Sequence, residues 1–398
     1  ISGDLRLQWY GKPGPYRMFD RHSYTTAPVY SSGRLFTLGE KILYANDAYN
    51  GRLLWEKELP SLEPRVNLPR DCGYMVTDRD HVYLAIENNC LEINARSGKT
   101  ERKFSCPKIN DEYDYNWGYA AMADGLLFGS SVRSGNFYTE GRGPWYDDSG
   151  FKKAQDSHKV LSDCLFAVDL AGNSQAWKYN GVIINSTIAI GGGRIYFVEN
   201  RNPKVLQDKS RRLSGGKEWM ALHLVALDVE TGKLVWEKNM QFEQRTPVFF
   251  STYKEDILML LRSSTKSFDL RAIDAKSGKL MWDRQHGWEN DNHGAHRRHP
   301  VIIGDVVYQQ PRAYDLKTGE EKWSTSKVGV GGNCGTLSAS STMLFSRLSD
   351  YPGFIDLGEE MKKENLVEIT RPGCWINIIP VGGMVLVPEA GSGCSCEY

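Results

Sequence analysis

Val225-Ala226-Leu227-Asp228-Val229-Glu230-Thr231-Gly232-Lys233-Leu234-Val235-Trp236 is the stretch on which the fold turns. An apolar strand closes on Asp228, a glycine follows four residues later, and a tryptophan stands eight residues after the aspartate. The chemistry of such a hairpin is legible: Asp accepts turn hydrogen bonds, Gly takes a positive-φ corner, and the returning strand carries Trp to pack between neighbouring sheets. The pattern recurs complete at Asp47/Gly51/Trp55, Asp274/Gly278/Trp282 and Asp315/Gly319/Trp323. Degenerate copies stand at Asn94/Gly98/Arg102 and Asp169/Asn173/Trp177, and only the aspartate survives at Asp356. Each copy is preceded by another hairpin, such as Ile188-Ala189-Ile190, a glycine turn, then Arg194-Ile195-Tyr196-Phe197-Val198. Every unit therefore reads as four short strands.

Seven units are visible, and Ile376 to Ile379, the turn at Gly382-Gly383 and Met384 to Val387 begin an eighth. Leu5 to Tyr10, a strand-like stretch with a Trp and no partner hairpin, is expected to supply its missing outer strand and close the ring, which removes exposed sheet edges. The expectation is an all-β, eight-bladed β-propeller of four-stranded blades forming one domain over residues 1–398, with an insertion loop from Val132 to Lys159. The pattern resembles the repeat of the pyrroloquinoline-quinone-dehydrogenase-like propellers, a superfamily that includes quinoprotein alcohol dehydrogenases and a non-catalytic outer-membrane assembly lipoprotein. The stretches 17–22, 181–200 and Cys394-Ser395-Cys396 resemble exported bacterial propellers of unassigned function. Fold does not imply activity, so function has to be argued from the site.

Composition narrows the classes. The chain has 398 residues, 49 Lys+Arg against 49 Asp+Glu, and no apolar run long enough to span a bilayer as a helix. A zero formal charge with both signs interleaved argues against a general nucleic-acid binder or a polybasic membrane-surface protein. Eight cysteines beside 11 Trp, 20 Tyr and 14 Phe, in a chain that begins at Ile1, suggest an exported, periplasmic or secreted protein; any signal, anchor or further domain would lie outside the sequence.

In a propeller blade the loop entering the innermost strand and the loop between the second and third strands open on the same face. The entry loops contain His22, Arg70, Asp71, Asn116, Trp117, Asn185, Arg245, His296, Arg297, Arg298, His299, Asn333 and Arg371. A neutral chain that gathers Arg and His on one rim is expected to attract anionic ligands. His293, His296 and His299 sit in a polar, glycine-containing loop, where the spacing sets no zinc geometry; a base, an acid, ligands to a divalent metal such as calcium or manganese, or a loop tied by hydrogen bonds all remain open. Trp145 and Tyr146 give the insertion the composition of a sugar-stacking loop.

All eight cysteines map to that face. Neighbouring-blade pairing suggests Cys72 with Cys90, Cys106 with Cys164, and Cys334 and Cys374 with Cys394 and Cys396; a four-thiolate metal site from the last four is the rival.

Three functions compete. A quinone-dependent dehydrogenase is implied by the resemblance, in which the cofactor stacks between a Trp and a disulfide of adjacent cysteines beside a calcium ion. This chain has no adjacent Cys-Cys pair and no Cys-x-x-Cys-His haem motif, which argues against the quinone. A binding or assembly scaffold needs exposed loops only. The preferred expectation is a lyase that cleaves an anionic polysaccharide by β-elimination. Arg70, Arg245, Arg297 or Arg371 with Asn185 would neutralise a uronate carboxylate, and His22, His296 or His299 would take the α-proton. Asn333, Trp117, Trp145 and Tyr146 would hold substrate.

Overall fold

The computed structural model describes residues 5–10, 27–39, 41–59, 73–135, 159–213, 219–240, 249–263, 267–287, 298–324, 337–348, 351–358, 362–366 and 378–387. Among them, strands form five four-stranded antiparallel sheets, each running in chain order, and one seven-stranded sheet. The first unit is Val29–Ser31, Arg34–Gly39, Ile42–Asp47 and Leu53–Glu58, and the second is Met75–Thr77, His81–Ile86, Asn89–Asn94 and Thr100–Ser105. The seven-stranded sheet joins the third and fourth units through one long strand, Ser174–Gly191. Its first half pairs with Ser162–Asp169 and its second half with Arg194–Asn200. The fifth to seventh units begin at Phe249, Val301 and Ser338, and a final hairpin comprises Ile379–Val381 and Met384–Leu386. One short helix, Pro203–Gln207, capped by Asn202, is the helical element among the described residues.

The Asp/Gly/Trp pattern is a joint between consecutive units. Asp228 Oδ1 accepts the Thr231 N–H at 2.9 Å, and the Gly232 N–H donates to the Asp228 carbonyl at 2.9 Å. That corner holds Gly232 at φ +66. The Trp177 ring then lies so close that a Cβ at Gly232 would stand 2.6 Å from it. The glycine thus supplies both the turn and an empty seat. The indole completes the joint: Trp177 Nε1 donates to Val229 O at 2.9 Å, the carbonyl just after the next unit's aspartate. Trp55 to Ala95, Trp236 to Ala275 and Trp282 to Leu316 repeat it at 3.0, 3.0 and 2.9 Å.

The degenerate copies obey the same rule. Arg102 stands where a Trp is expected, and its Nη1 reaches Leu170 O, the residue after Asp169. With no indole to seat, that corner tolerates Asn173 at φ +51 in place of glycine. Apolar cores fill the space between units. Phe250, Met259, Leu261 and Phe268 of the fifth meet Val307, Tyr314 and Leu316 of the sixth.

At the N-terminus, Leu5 to Tyr10 pairs with no strand among the described residues, and residues 388–398, which follow the final hairpin, lie outside them. Its Trp9 nevertheless donates to Ala48 O at 3.0 Å and seats on Gly51, and it packs with Met384 and Leu386 of the final hairpin. The insertion is shorter than Val132 to Lys159: Val132 and Arg133 are in strand Leu126–Arg133, and Lys159 pairs with Leu213.

Deleting the joint should be costly. Trp282→Ala is expected to destabilise by about 3 to 5 kcal/mol. Trp282→Phe, which keeps most of the ring and loses the bond to Leu316, should cost nearer 1 kcal/mol from that bond. Gly319→Ala should destabilise by at least about 1 kcal/mol through φ +68 alone, before its Cβ meets the Trp282 ring. Urea unfolding followed by tryptophan fluorescence checks all three.

Candidate functional site

Entry connections and second-to-third-strand connections share one end of the units, and the buried polar groups concentrate there. Arg298 precedes the first strand of the sixth unit and is 8% exposed. Its carbonyl accepts from Gln309 Nε2 at 3.1 Å. Its guanidinium has no hydrogen bond or ion pair among the described residues, and burial alone pulls its pKa down to about 10. A buried cation without a counter-ion is costly, and an anion that reaches it recovers the loss. Next to it, the His299 ring lies against Phe250 of the fifth unit, with ring centroids 3.5 Å apart.

Asn185 opens the first-strand segment of the fourth unit. It is buried, its Oδ1 accepts from the Ser162 hydroxyl at 2.8 Å, and Ser130 Oγ lies 2.9 Å from the same hydroxyl. Asn185 Nδ2 has no partner among the described residues. Ser263 Oγ, Gln309 Oε1 and Gln310 Nε2 are in the same condition at the same end of the fifth and sixth units. His286 Nδ1 lies 2.8 Å from Tyr314 OH. Burial first, and Arg312 second, push this imidazole down to about 4 against the pull of the Gln309 and Gln310 backbone, so it is neutral at physiological pH.

The structure tests part of the sequence set. Trp117 corrects its assignment as a substrate platform. It is 2% exposed, inside strand Tyr115–Ala123, edge-on to Phe166 with centroids 4.7 Å apart, and seated over Gly129, where a Cβ would meet it at 2.5 Å. Asn185 is a buried network member, and the His299 ring packs at a tilt of 31° on Phe250. His22, Arg70, Arg245, His293, His296, Arg297, Asn333, Arg371, Trp145 and Tyr146 lie outside the described residues. So do Cys72, Cys334, Cys374, Cys394 and Cys396, and with them the four-thiolate alternative.

The three described cysteines are at the expected end but are free thiols. Cys106 and Cys164 are therefore not linked to each other in this structure, and the suggested partner of Cys90, Cys72, lies outside the described residues. Cys106 Sγ instead sits 3.2 Å from Ser131 Oγ and 3.5 Å from Asn116 O, and Ser131 stands opposite Cys164 in the ladder. Burial raises Cys106 and Cys164 to about 12 and Cys90 further still. Arg298 and His286 are the residues that sequence reasoning left without a role. Arg298 stood among the entry-loop cations with nothing to mark it as unpaired, and His286 stood in a strand whose far end gave no sign of burial.

Residues 165–329 match a family described as outer membrane protein assembly factor BamB. No curated protein matches the chain. Among solved structures, BamB from Moraxella catarrhalis is similar at 14% identity and TM-score 0.44, over 80% of this chain and 77% of that one. A quinohemoprotein alcohol dehydrogenase from Pseudomonas putida is similar at 13% identity and TM-score 0.46, over 94% of this chain and 57% of that one. One from Comamonas testosteroni is similar at 13% and 0.46, over 87% and 54%. The chain thus spans little more than half the length of the two dehydrogenases.

Unfolded, His286 binds its proton near 6.5; folded, only near 4. Protonation therefore favours the unfolded state more and more as pH falls between those values. Roughly 3 kcal/mol of stability should be lost from pH 7 to below 4 on this group's account, and His286→Gln should flatten that part of the curve. Urea midpoints taken across the interval check it. Iodoacetamide at pH 8 should leave Cys90, Cys106 and Cys164 unlabelled in the native chain and label them in urea, read by peptide mass.

Proposed function

We propose that the chain, whose residues 165–329 match the assembly-factor family, forms an eight-bladed ring closed through Trp9, whose entry-loop face acts on an anionic polysaccharide by β-elimination. The observation that carries the reading is Arg298, a guanidinium that is 8% exposed and lacks a counter-ion among the described residues. β-Elimination at a uronate needs its carboxylate neutralised while the α-proton leaves, and a desolvated, pre-placed cation serves the carbanion-like transition state better than a solvated one. Asn185 Nδ2 is a spare amide donor of the kind that would assist. One of His299, His296 and His22 takes the α-proton, and another of them or Tyr119 gives a proton to the departing glycosidic oxygen as its C–O bond breaks; the contact of His299 with Phe250 would fix its ring plane for that transfer.

A bound quinone does not fit these residues. The chain has no adjacent cysteine pair, and among the described residues no three His, Cys, Asp or Glu side chains are grouped to hold a metal ion. A divalent metal held by His293, His296 and His299 enters the proposal only as one arm of its test. Periplasmic or secreted placement goes with the reading. Its support is the assembly-factor family match, and among the described residues no helix is long and apolar enough to cross a membrane. The same match favours a second reading, a non-catalytic binding or assembly module built on the same anion-attracting face.

Absorbance of a new unsaturated uronate, measured across a panel of uronate-bearing and sulfated polysaccharides with and without chelator, separates the two. The lyase reading expects a signal that Arg298→Met lowers in kcat/KM by roughly a hundredfold to a thousandfold. No signal on any substrate rules the lyase out. Polysaccharide binding that persists in that case and weakens in Arg298→Met leaves the binding module standing.

A further inference from the structure

Away from Arg298, the third and fourth units carry a buried ion cluster of unequal charge. Asp163 accepts from Arg133 Nε at 2.7 Å on Oδ2, and its Oδ1 lies 2.6 Å from Arg211 Nε. Tyr115 OH donates to the same carboxylate at 3.2 Å. Arg133, Asp163 and Arg211 are 6%, 7% and 8% exposed. Two guanidiniums share one carboxylate, so the cluster retains a positive charge that burial keeps poorly screened.

Arg133 has committed two of its three nitrogens to hydrogen bonds, since Nη1 donates to Lys209 O at 3.0 Å beside the Nε bond to Asp163. Arg211 Nη1 donates to Val205 O and Leu206 O at 2.8 and 2.9 Å, while its Nε stands at ion-pair distance from Asp163 Oδ1 without a hydrogen bond among the described residues. Neither Nη2 has a hydrogen bond among the described residues. The Tyr113 ring covers the Arg133 guanidinium at 3.8 Å and fixes its plane. These contacts hold the arginines in place with or without a ligand, which is how a pre-organised site is built. Its location matters too. Arg133 ends the strand before residues 134–158, Asp163 begins the strand after them, and Arg211, at φ +49, closes the connection that holds the helix Pro203–Gln207.

We propose that Arg133 and Arg211 form an oxyanion subsite that takes a carboxylate or sulfate group through their Nη2 donors. That the anion belongs to a saccharide rests on the preceding proposal; the oxyanion site itself does not. The site fits an oxyanion because two guanidinium edges offer paired N–H donors to two oxygens, whereas chloride can use only one direction from each. An acidic chain bound here would be held by the stems of the two longest connections on the entry-loop face.

Titration of the full chain with sodium sulfate and with sodium glucuronate, at ionic strength held constant with sodium chloride, tests the subsite. All titrations run in an Arg298→Met background so that only this site is read. Saturable binding of at least one anion is expected. Sulfate alone would identify a sulfated ligand, and glucuronate alone a carboxylated one. Arg133→Lys, which keeps an ion pair to Asp163 and removes the Nη2 donor, should weaken binding at least tenfold. Asp163→Asn, which deletes the competing carboxylate, should tighten it about tenfold while lowering the melting temperature in chloride. A purely structural cluster would give the opposite sign for Asp163→Asn. Absence of saturable binding, or Arg133→Lys binding as the parent does, overturns the proposal whatever the polysaccharide assay shows.

Discussion

One indole N–H donating to one carbonyl, over a glycine that has no side chain, is the contact on which the architecture depends. A four-stranded antiparallel sheet of this size has two faces to cover and too little area to stabilise itself. The Trp joint covers one face of a unit with the next and fixes the angle between them. It satisfies the indole N–H inside the apolar seam, where an unpaired donor would cost about 1 to 3 kcal/mol. Arg102 shows that the carbonyl, more than the aromatic ring, is the fixed element. Once the indole is gone, its long side chain still finds Leu170 O, and a glycine is no longer needed at Asn173.

That joint was legible from sequence because it is local: an aspartate, a glycine and a tryptophan at set spacing give the hairpin, and repetition gives the sheets. The pairing across units was legible only in outline. Nothing in the order of residues says that Trp177 seats on Gly232 and not on Asn173 of its own hairpin. At the N-terminus the legible part was the tryptophan: Trp9 donates to Ala48 O and seats on Gly51, as the indoles of the other joints do.

The site was harder to read, because burial and pairing are properties of assembled units. Trp117 and Arg298 both looked like entry-loop residues, and one proved to be core while the other is a buried cation without a counter-ion among the described residues. The three described cysteines stand at the end that strand counting gave. The contact of Cys106 with Ser131, which faces Cys164 in the ladder, gave no sequence signal. Asp163 with Arg133 and Arg211 was invisible for the same reason. The three come from separate strands and a connection, and only the ladder of the third unit brings them together.

The strand Ser174–Gly191 belongs to two units at once, since its first half completes one sheet and its second half begins the next. Elsewhere the chain leaves one sheet before it enters another, so a unit can be copied or dropped as a cassette. Here no cut separates the two, and a deletion that removes either half strips an edge from the other sheet. In the history of a repeat protein that grows by duplication, the third and fourth units would therefore be inherited as a single block, together with the connections they raise on the entry-loop face.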